Sequence, residues 1–174
     1  NQYGAVEPTL LWGNGDSFAF EFDFFYTGEP NQSLAGDPEG FNNNILIESS
    51  TKIIVRMGNS SKAINLIAPL AVGRHSIAIK RNGFADFGAY DLDDNLLSEP
   101  MDPLGGALSL YGFGIQYNSG YFRQFKGVMY RARFYTDFNR TMLAHDWQFT
   151  KASGYSVPDE VGSLDIQLFN FDAA

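Results

Sequence analysis

The chain has no cysteine among its 174 residues and only two histidines, His75 and His145. Disulfides and cysteine-based metal or nucleophile chemistry are therefore excluded. Secreted eukaryotic domains commonly carry disulfides, so their absence favours a bacterial or viral origin. Neither a paired-histidine zinc motif nor a glycine-rich phosphate loop is present. Each histidine is interpreted as a hydrogen-bonded strand residue, with a His–carboxylate catalytic unit as the alternative.

Basic residues and long apolar runs are also scarce. Twelve Lys and Arg stand against 20 Asp and Glu, which gives a net charge of −8. An acidic surface repels phosphate backbones and anionic lipid, so nucleic acid is not an expected partner. No apolar run approaches the ~18 residues that a membrane span needs, so membrane insertion is not expected. Cations and neutral polar ligands such as sugars remain compatible with this charge.

Aromatic residues and glycine are abundant. The chain contains 16 Phe, 9 Tyr, 18 Gly and 7 Pro, and 16% of it is aromatic. Phe and Tyr favour strands, and large aromatic rings fill the space between packed sheets. Glycine and proline supply the turns that many short strands need. This composition predicts an all-β protein, and the length fits a single domain over residues 1–174.

Residues 17–26, SFAFEFDFFY, alternate with a period of two. The even positions form one apolar face: Phe18, Phe20, Phe22 and Phe24. Four phenylalanines on one face predict a central core strand. Residues 27–44 are rich in Gly, Pro, Asn and Asp and are predicted as a long loop. Further strands are predicted at 45–48, 52–57, 63–67, 73–83, 107–116 and 145–150, a helical turn at 141–144, and an edge strand near 168–171.

Residues 118–137, NSGYFRQFKGVMYRARFYTD, also alternate. One face of this predicted strand carries Val128, Tyr130, Ala132 and Phe134. The other face carries Met129, Arg131, Arg133 and Tyr135. Such a period indicates one buried and one wetter face.

Several of these segments resemble one fold family in the same order. Phe125, Gly127 and the Phe134–Tyr135 pair resemble a late strand of laminin-G-like and pentraxin-like domains. Residues 73–83, GRHSIAIKRNG, resemble the G-x-W-H-x-V-A-V-x-R-D-G segment of those domains, with Arg74 in place of the usual tryptophan. Over residues 17–171 the chain is therefore similar to laminin-G-like domains of bacterial or phage type, in the concanavalin A-like lectin and glucanase group. The resemblance implies two antiparallel sheets packed as a jelly-roll sandwich, and a single closed β-barrel is the structural alternative.

Calcium is the one cofactor that this resemblance implies. Asp91, Asp93 and Asn95 stand at alternate positions, like the opening of an oxygen-ligand calcium loop. The rest of that pattern fails, because Leu96 replaces the glycine and Asp102 replaces the closing glutamate. A hairpin turn is the alternative, since Asp and Asn favour turns. A second oxygen-rich loop contains Asp37, Glu39 and residues 42–44.

Two clusters combine an aromatic ring with polar side chains, as sugar recognition requires. Tyr117, Asn118 and Tyr121 form one, and Trp12 with Asp16 forms the other. A ring can pack against the apolar face of a pyranose while the polar groups bind its hydroxyls. The alternative is that these aromatic residues only cover the core.

Glu21 and Asp23 raise the question of hydrolysis. Laminarinase-type glycoside hydrolases, which share the fold, carry E-x-D-x-x-E or E-x-D-x-E on a central strand. Retaining hydrolysis needs two carboxyl groups about 5–5.5 Å apart. This chain lacks the second glutamate, because Phe25 and Tyr26 occupy its two positions. The pair is therefore interpreted as two charges on the outer face of a core strand.

The sequence therefore predicts a non-catalytic, lectin-like carbohydrate-binding domain, exposed outside the cell on a cell or virion surface. Its expected partner is a polysaccharide or surface glycan. One alternative is a structural or decoration protein of a virion or appendage, which would form a homo-oligomer or assemble with virion proteins. The other, disfavoured, is a glycan-cleaving enzyme of the same fold. Fold analogy is the main support for all three, and a fold does not fix a function.

Overall fold

The computed structural model describes residues 3–37, 42–118, 121–152 and 155–169. The strands within these ranges are β1 (Tyr3–Trp12), β2 (Phe18–Tyr26), β3 (Gln32–Gly36), β4 (Asn44–Ser49), β5 (Lys52–Met57), β6 (Ser60–Asn65), β7 (Gly73–Asn82), β8 (Asp86–Tyr90), β9 (Leu108–Phe113), β10 (Ile115–Asn118), β11 (Tyr121–Gln124), β12 (Val128–Tyr135), β13 (Leu143–Gln148), β14 (Ser156–Val157) and β15 (Ile166–Phe169). One 3-10 turn, Phe149–Lys151, follows β13. No helix among the described residues is long and apolar enough to cross a membrane.

The strands form two large antiparallel sheets and one small ribbon. The first sheet has eight strands in the order β14-β15-β1-β9-β3-β4-β5-β6, and the second has five in the order β13-β12-β2-β7-β8. Strands β10 and β11 pair as a separate hairpin. The two sheets pack as a jelly-roll-like sandwich, which confirms the predicted architecture over the closed barrel.

Strand β2 is the centre of the five-stranded sheet, as its phenylalanines predict. Phe18, Phe20, Phe22 and Phe24 are all fully buried. Across the core, the ring of Trp12 lies 4.3 Å from that of Phe134 in an edge-to-face contact. Tilted and edge-to-face aromatic pairs add about 0.5–1.5 kcal/mol each beyond their buried area. The aromatic content noted in the sequence is therefore concentrated between the sheets.

Strand β12 departs from the predicted alternation because it contains a bulge. Met129 pairs with Phe24 and Arg131 with Asp23, so Tyr130 is an extra residue. Such an insertion reverses the face of the residues before it. Met129 consequently packs against the core, and the Tyr130 ring lies outside, 4.4 Å from the Arg74 guanidinium. Only the later part of the predicted alternation, Arg131 to Tyr135, holds in the structure.

Three other structural predictions from the sequence were wrong. The predicted loop at 27–44 contains strand β3, which pairs with β4 and β9. Residues 141–144 are not helical, because Asp137 holds a tight turn through the Thr141 and Met142 amides and β13 then begins at Leu143. Strand β15 was predicted at an edge, but it lies between β14 and β1.

Gly127 shows why one position of the family-like motif excludes a side chain. A Cβ atom placed there would lie 1.8 Å from the carbonyl oxygen of Phe25. No real contact is that short, so the backbone of Gly127 approaches β2 more closely than any other residue type allows. This close approach brings the start of β12 against β2.

Candidate functional site

Among the described residues, the outer face of the five-stranded sheet carries most of the ion pairs. Pairing of β2 with β12 places Glu21 beside Arg133 and Asp23 beside Arg131. Because side chains alternate along a strand, the buried phenylalanines force these charged residues onto the opposite face. The same sequence pattern that builds the core therefore builds this polar surface.

Glu21, at 5% exposure, is with Asp146, at 4%, one of the two most enclosed carboxylates on this face. Its Oε1 lies 3.1 Å from Arg133 Nη2, and its Oε2 lies 3.5 Å from Arg140 Nη1. A buried charge needs a nearby opposite charge. Glu21 carries one negative charge, and the two guanidinium groups carry two positive charges. Glu21 and the two arginines therefore form a cluster with one excess positive charge.

Arg140 reaches Glu21 from a loop, and a second loop holds it in place. Its Nη2 donates to the carbonyl oxygen of Leu92 and to Oδ1 of Asp94, each at 2.7 Å. Both Arg140 and Asp94 adopt left-handed backbone conformations, with φ of 60° and 64°. Non-glycine residues in this region are strained and concentrate at functional sites. Two strained residues that meet through their side chains therefore indicate a site.

Lys80 extends the cluster beneath the same loop. Its side chain is 2% exposed, and its Nζ lies 2.7 Å from Asp94 Oδ1. The ammonium also lies 4.5 Å from the Tyr90 ring centroid and 4.0 Å from that of Phe138, which are cation–π distances. The hydrogen bond from Lys80 holds the pKa of Asp94 below its ordinary value. Asp94 therefore stays ionised and joins Lys80 to Arg140.

These side chains surround an open pocket of about 290 Å³. Its lining consists of Glu21, Leu92, Arg133, Tyr135, Asn139 and Arg140. The volume is close to the lower limit of known small-ligand sites, about 300 Å³. The lining offers charged and neutral hydrogen-bonding groups with one apolar wall, the combination that fixes a small polar ligand.

The predicted calcium residues form the turn that supports this pocket. Asp91 Oδ1 accepts the amides of Asp93 and Asn95, each at 2.8 Å, and its Oδ2 accepts Asn95 Nδ2 at 2.7 Å. The side-chain and backbone hydrogen bonds from Asn95 lower the pKa of Asp91. No group of three acidic or histidine ligands occurs among the described residues. The geometry favours the hairpin-turn interpretation, and the turn presents Leu92 and Asp94 to Arg140.

None of the predicted sugar-binding residues is among the described residues that line this pocket. Tyr117, Asn118 and Tyr121 belong to the β10–β11 hairpin, where Asn118 pairs with Tyr121, and their side chains are outside the described part of the structure. The prediction for Trp12 was wrong, because it is 6% exposed and packs among core aromatics. Asp16 lies in an exposed turn, where its Oδ2 accepts the Gly13 amide at 2.5 Å. The structure therefore does not join Trp12 and Asp16 into a platform.

Both histidines have the hydrogen-bonded strand role that the sequence favoured. Nε2 of His75 lies 2.7 Å from the carbonyl oxygen of Ala71. Nδ1 of His145 lies 2.6 Å from Asp159 Oδ2, and its ring stacks on Trp147 at 5.2 Å. Neither histidine lines the pocket. The His145–Asp159 pair instead ties β13 to the segment that follows it.

Sequence reasoning missed Asn139, Arg140 and Tyr135 as site residues. The outward alternation of Arg131 and Arg133 already indicated a charged strand face. Arg140, however, comes from a turn, and its partners are distant in sequence: Glu21, Leu92 and Asp94. Sites assembled from separate loops leave no spacing that a single sequence could reveal.

A second cavity, of about 400 Å³, lies at one end of the sandwich and differs in character. Its described lining is apolar and glycine-rich: Gly4, Phe113, Gly114, Phe125, Gly127, Val128, Met129, Phe149, Ala152, Val157 and Leu168. It offers no charged side chain to orient a polar ligand. The pocket over Glu21 is therefore the better candidate for recognising a polar molecule.

Comparisons with known proteins agree with the fold. No family model and no curated protein sequence matches the chain. A crystal structure of a protein from Bacteroides ovatus, named a "putative carbohydrate binding protein", is similar with a TM-score of 0.68 and 16% sequence identity. The similarity covers 100% of this chain and 57% of that protein, so the chain spans little more than half of its neighbour's length. At this identity the likeness shows the shared all-β sandwich.

Proposed function

We propose that this protein is a non-catalytic carbohydrate-binding domain whose binding site is the pocket over Glu21. The observation that carries the proposal is the buried Glu21 held between Arg133 and Arg140, with Tyr135 and Asn139 beside it. Carboxylate, guanidinium, amide and hydroxyl groups together can donate to and accept from sugar hydroxyls. The fold shared with a protein named for carbohydrate binding supports the same proposal.

The same geometry argues against glycoside hydrolysis at this face. A catalytic carboxylate needs an oxygen free to attack or to transfer a proton. Both Glu21 oxygens face guanidinium groups, and Asp23 is paired with Arg74 through two hydrogen bonds, of 2.9 and 2.5 Å. Both carboxylates are therefore engaged by arginine side chains. We therefore infer binding without cleavage.

Replacing Asn139 with alanine should weaken glycan binding about 2- to 10-fold, the equivalent of one hydrogen bond. Asn139 is exposed, so its truncation should leave the fold intact. The measurement is a glycan array followed by titration of the strongest ligand. Asn82→Ala is the matched control, because Asn82 is an exposed asparagine on the same sheet outside the pocket.

Two outcomes would contradict this proposal. Equal losses of glycan affinity in Asn139→Ala and Asn82→Ala would show that the binding site lies elsewhere. No binding to any glycan, together with a stable oligomer in solution, would favour the alternative role in virion or appendage assembly. Homo-oligomer formation and display outside the cell stay predictions, as does the single-domain assignment.

Calcium binding by Asp91, Asp93 and Asn95 also stays a prediction, and a thermal titration tests it. If calcium binds the turn, it should raise the Tm of the wild-type protein and have no such effect on Asp91→Ala. If Asp91 acts only as a turn acceptor, Asp91→Ala should lower the Tm by the same amount with calcium or with a chelator. The second outcome would show that calcium does not bind this turn.

A further inference from the structure

We propose that the pocket over Glu21 selects an anionic sugar, a uronic acid whose carboxylate is bound beside Arg133 and Arg140. This inference rests on the proposed function and adds the class of glycan. It depends on three observations: the local charge, the hydrogen-bonding groups left over, and the one-to-one pairing of the charges elsewhere on the sheet.

The pocket is locally positive on a protein whose net charge is −8. The connected cluster contains three cations, Lys80, Arg133 and Arg140, and two anions, Glu21 and Asp94. The direct ion pairs therefore leave one positive charge, which the carboxylate of Asp91, close enough to Arg140 to interact with it, partly offsets. Arg140 and Lys80 have side-chain exposures of only 11% and 2%, so solvent screens this charge less than it would an exposed one.

The excess charge is confined to the pocket. Elsewhere on the same face, Arg74 is paired with Asp23, and Arg131 is paired with Asp146 through two hydrogen bonds. Each of these pairs is neutral. An anionic ligand would therefore find a net attraction at the pocket and none at the neighbouring ion pairs.

The groups that line the pocket have more donors to offer than acceptors. Arg133 Nε is a buried donor without a hydrogen-bond partner. The Tyr135 hydroxyl accepts Arg133 Nη1 at 3.2 Å, which leaves its own hydrogen to donate. The Asn139 amide adds two donors and one acceptor. Glu21, the remaining acceptor, is already used by the two arginines, so a ligand rich in acceptor oxygens fits best.

A carboxylate satisfies this demand, because it only accepts hydrogen bonds and pairs well with guanidinium groups. Two arginine charges against the one charge of Glu21 leave a net attraction for this carboxylate. The ring hydroxyls of the same sugar can reach Tyr135 and Asn139. A neutral hexose would leave the positive charge uncompensated.

The test compares matched ligands by titration calorimetry: tetragalacturonate, its fully methyl-esterified form, and a sulfated galactan tetrasaccharide. We expect the free acid to bind at least ~10-fold more tightly than the ester, and added salt to weaken only the charged ligand. Arg140→Gln should reduce this preference to near unity. Arg74→Gln removes the same charge from the same face outside the pocket and should leave the preference unchanged. A stronger signal from the sulfated ligand would assign the site to sulfate esters and overturn the uronic-acid assignment.

Equal binding of acid and ester would overturn this inference and leave the proposed function standing. If none of the three ligands binds while neutral glycans bind on an array, the inference is likewise overturned and the proposed function stands. Silence from every glycan would overturn both. If Arg140→Gln unfolds, Arg133→Gln provides the decision, because it removes the other cation that lies beside the ligand carboxylate. An unchanged acid-to-ester ratio in Arg133→Gln and an unchanged salt dependence would then count against the proposal.

Discussion

Replacing Arg81 with leucine should lower the free energy of unfolding by about 3–5 kcal/mol, the range for breaking a buried charged network. Arg81 is fully buried. Its Nε donates to the Asp16 carbonyl oxygen at 2.6 Å, and Nη1 and Nη2 donate to the carbonyl oxygens of Gly106 and Gly13, each at 2.8 Å. Leucine would leave all three carbonyl groups without this partner.

The role of Arg81 is to join two loops that meet at one end of the sandwich. One loop follows β1 and contains Gly13 and Asp16; the other precedes β9 and contains Gly106. The guanidinium also lies 4.9 Å from the Phe18 ring centroid, which places it on the aromatic core. Burial lowers the pKa of Arg81, and the nearby charge of Asp16 opposes that shift. The three carbonyl dipoles supply the compensation that a buried cation requires.

Urea unfolding followed by tryptophan fluorescence measures this effect. Arg81→Lys should recover little of the lost stability, because a single ammonium cannot reproduce the geometry in which the planar guanidinium donates to three carbonyl oxygens. The control is Arg74→Leu on the same strand, whose side chain is 63% exposed and whose ion pair should contribute less than about 1 kcal/mol. Similar losses in Arg81→Leu and Arg74→Leu would show that the buried network contributes little.

The burial of Arg81 could have been read from the sequence. Ile77 and Ile79 alternate inward along β7, and one further step of the same period reaches Arg81. Arginine is rarely fully buried, so its residue type alone argues against the position that the period indicates. The strength of the period-two pattern also explains why β2 was predicted well. A strand face with four phenylalanines is stable only when it is buried in the core.

Other features could not be predicted because they depend on contacts distant in sequence. The bulge at Tyr130 adds one residue without changing composition, so the alternation looked regular where it was broken. Glu21 looked like an exposed charge because its partner Arg140 is 119 positions away. Trp12 looked like a stacking platform because the turn that follows it carries Asn14 and Asp16. In space, however, its ring contacts Phe18 and Phe134.

Replacing Asp159 with asparagine should cost about 3 kcal/mol or more at neutral pH, because several buried hydrogen bonds would be lost or reversed. The Asp159 side chain is fully buried. Its Oδ1 accepts the amides of Asp146, Val161 and Gly162 at 3.0–3.2 Å. Its Oδ2 lies 2.6 Å from His145 Nδ1 and accepts the Leu164 amide at 3.2 Å. Asparagine would turn an NH₂ group toward some of these donors.

The same contacts give this variant a distinct pH dependence. Burial alone would raise the pKa of Asp159, but the hydrogen bonds from His145 and the backbone amides outweigh it and hold the pKa below its ordinary value of 3.8. A carboxyl group with a depressed pKa stabilises the fold fully above its unfolded value. That stabilisation is lost as the pH falls through the lower, folded value. The wild-type protein should therefore lose stability below pH 3.8, and Asp159→Asn should lack this part of the loss.

Urea unfolding at neutral and acid pH separates this effect from a general one. The stability gap between wild type and Asp159→Asn should be large at neutral pH and shrink under acid conditions, as Asp159 becomes protonated. The matched control is the adjacent Glu160→Gln, which removes a surface pair with Lys151 whose side chains are 32% and 49% exposed. That pair should contribute less than about 1 kcal/mol. A gap that stayed constant with pH would mean that Asp159 acts through packing, and that its charge does not anchor the segment after β13.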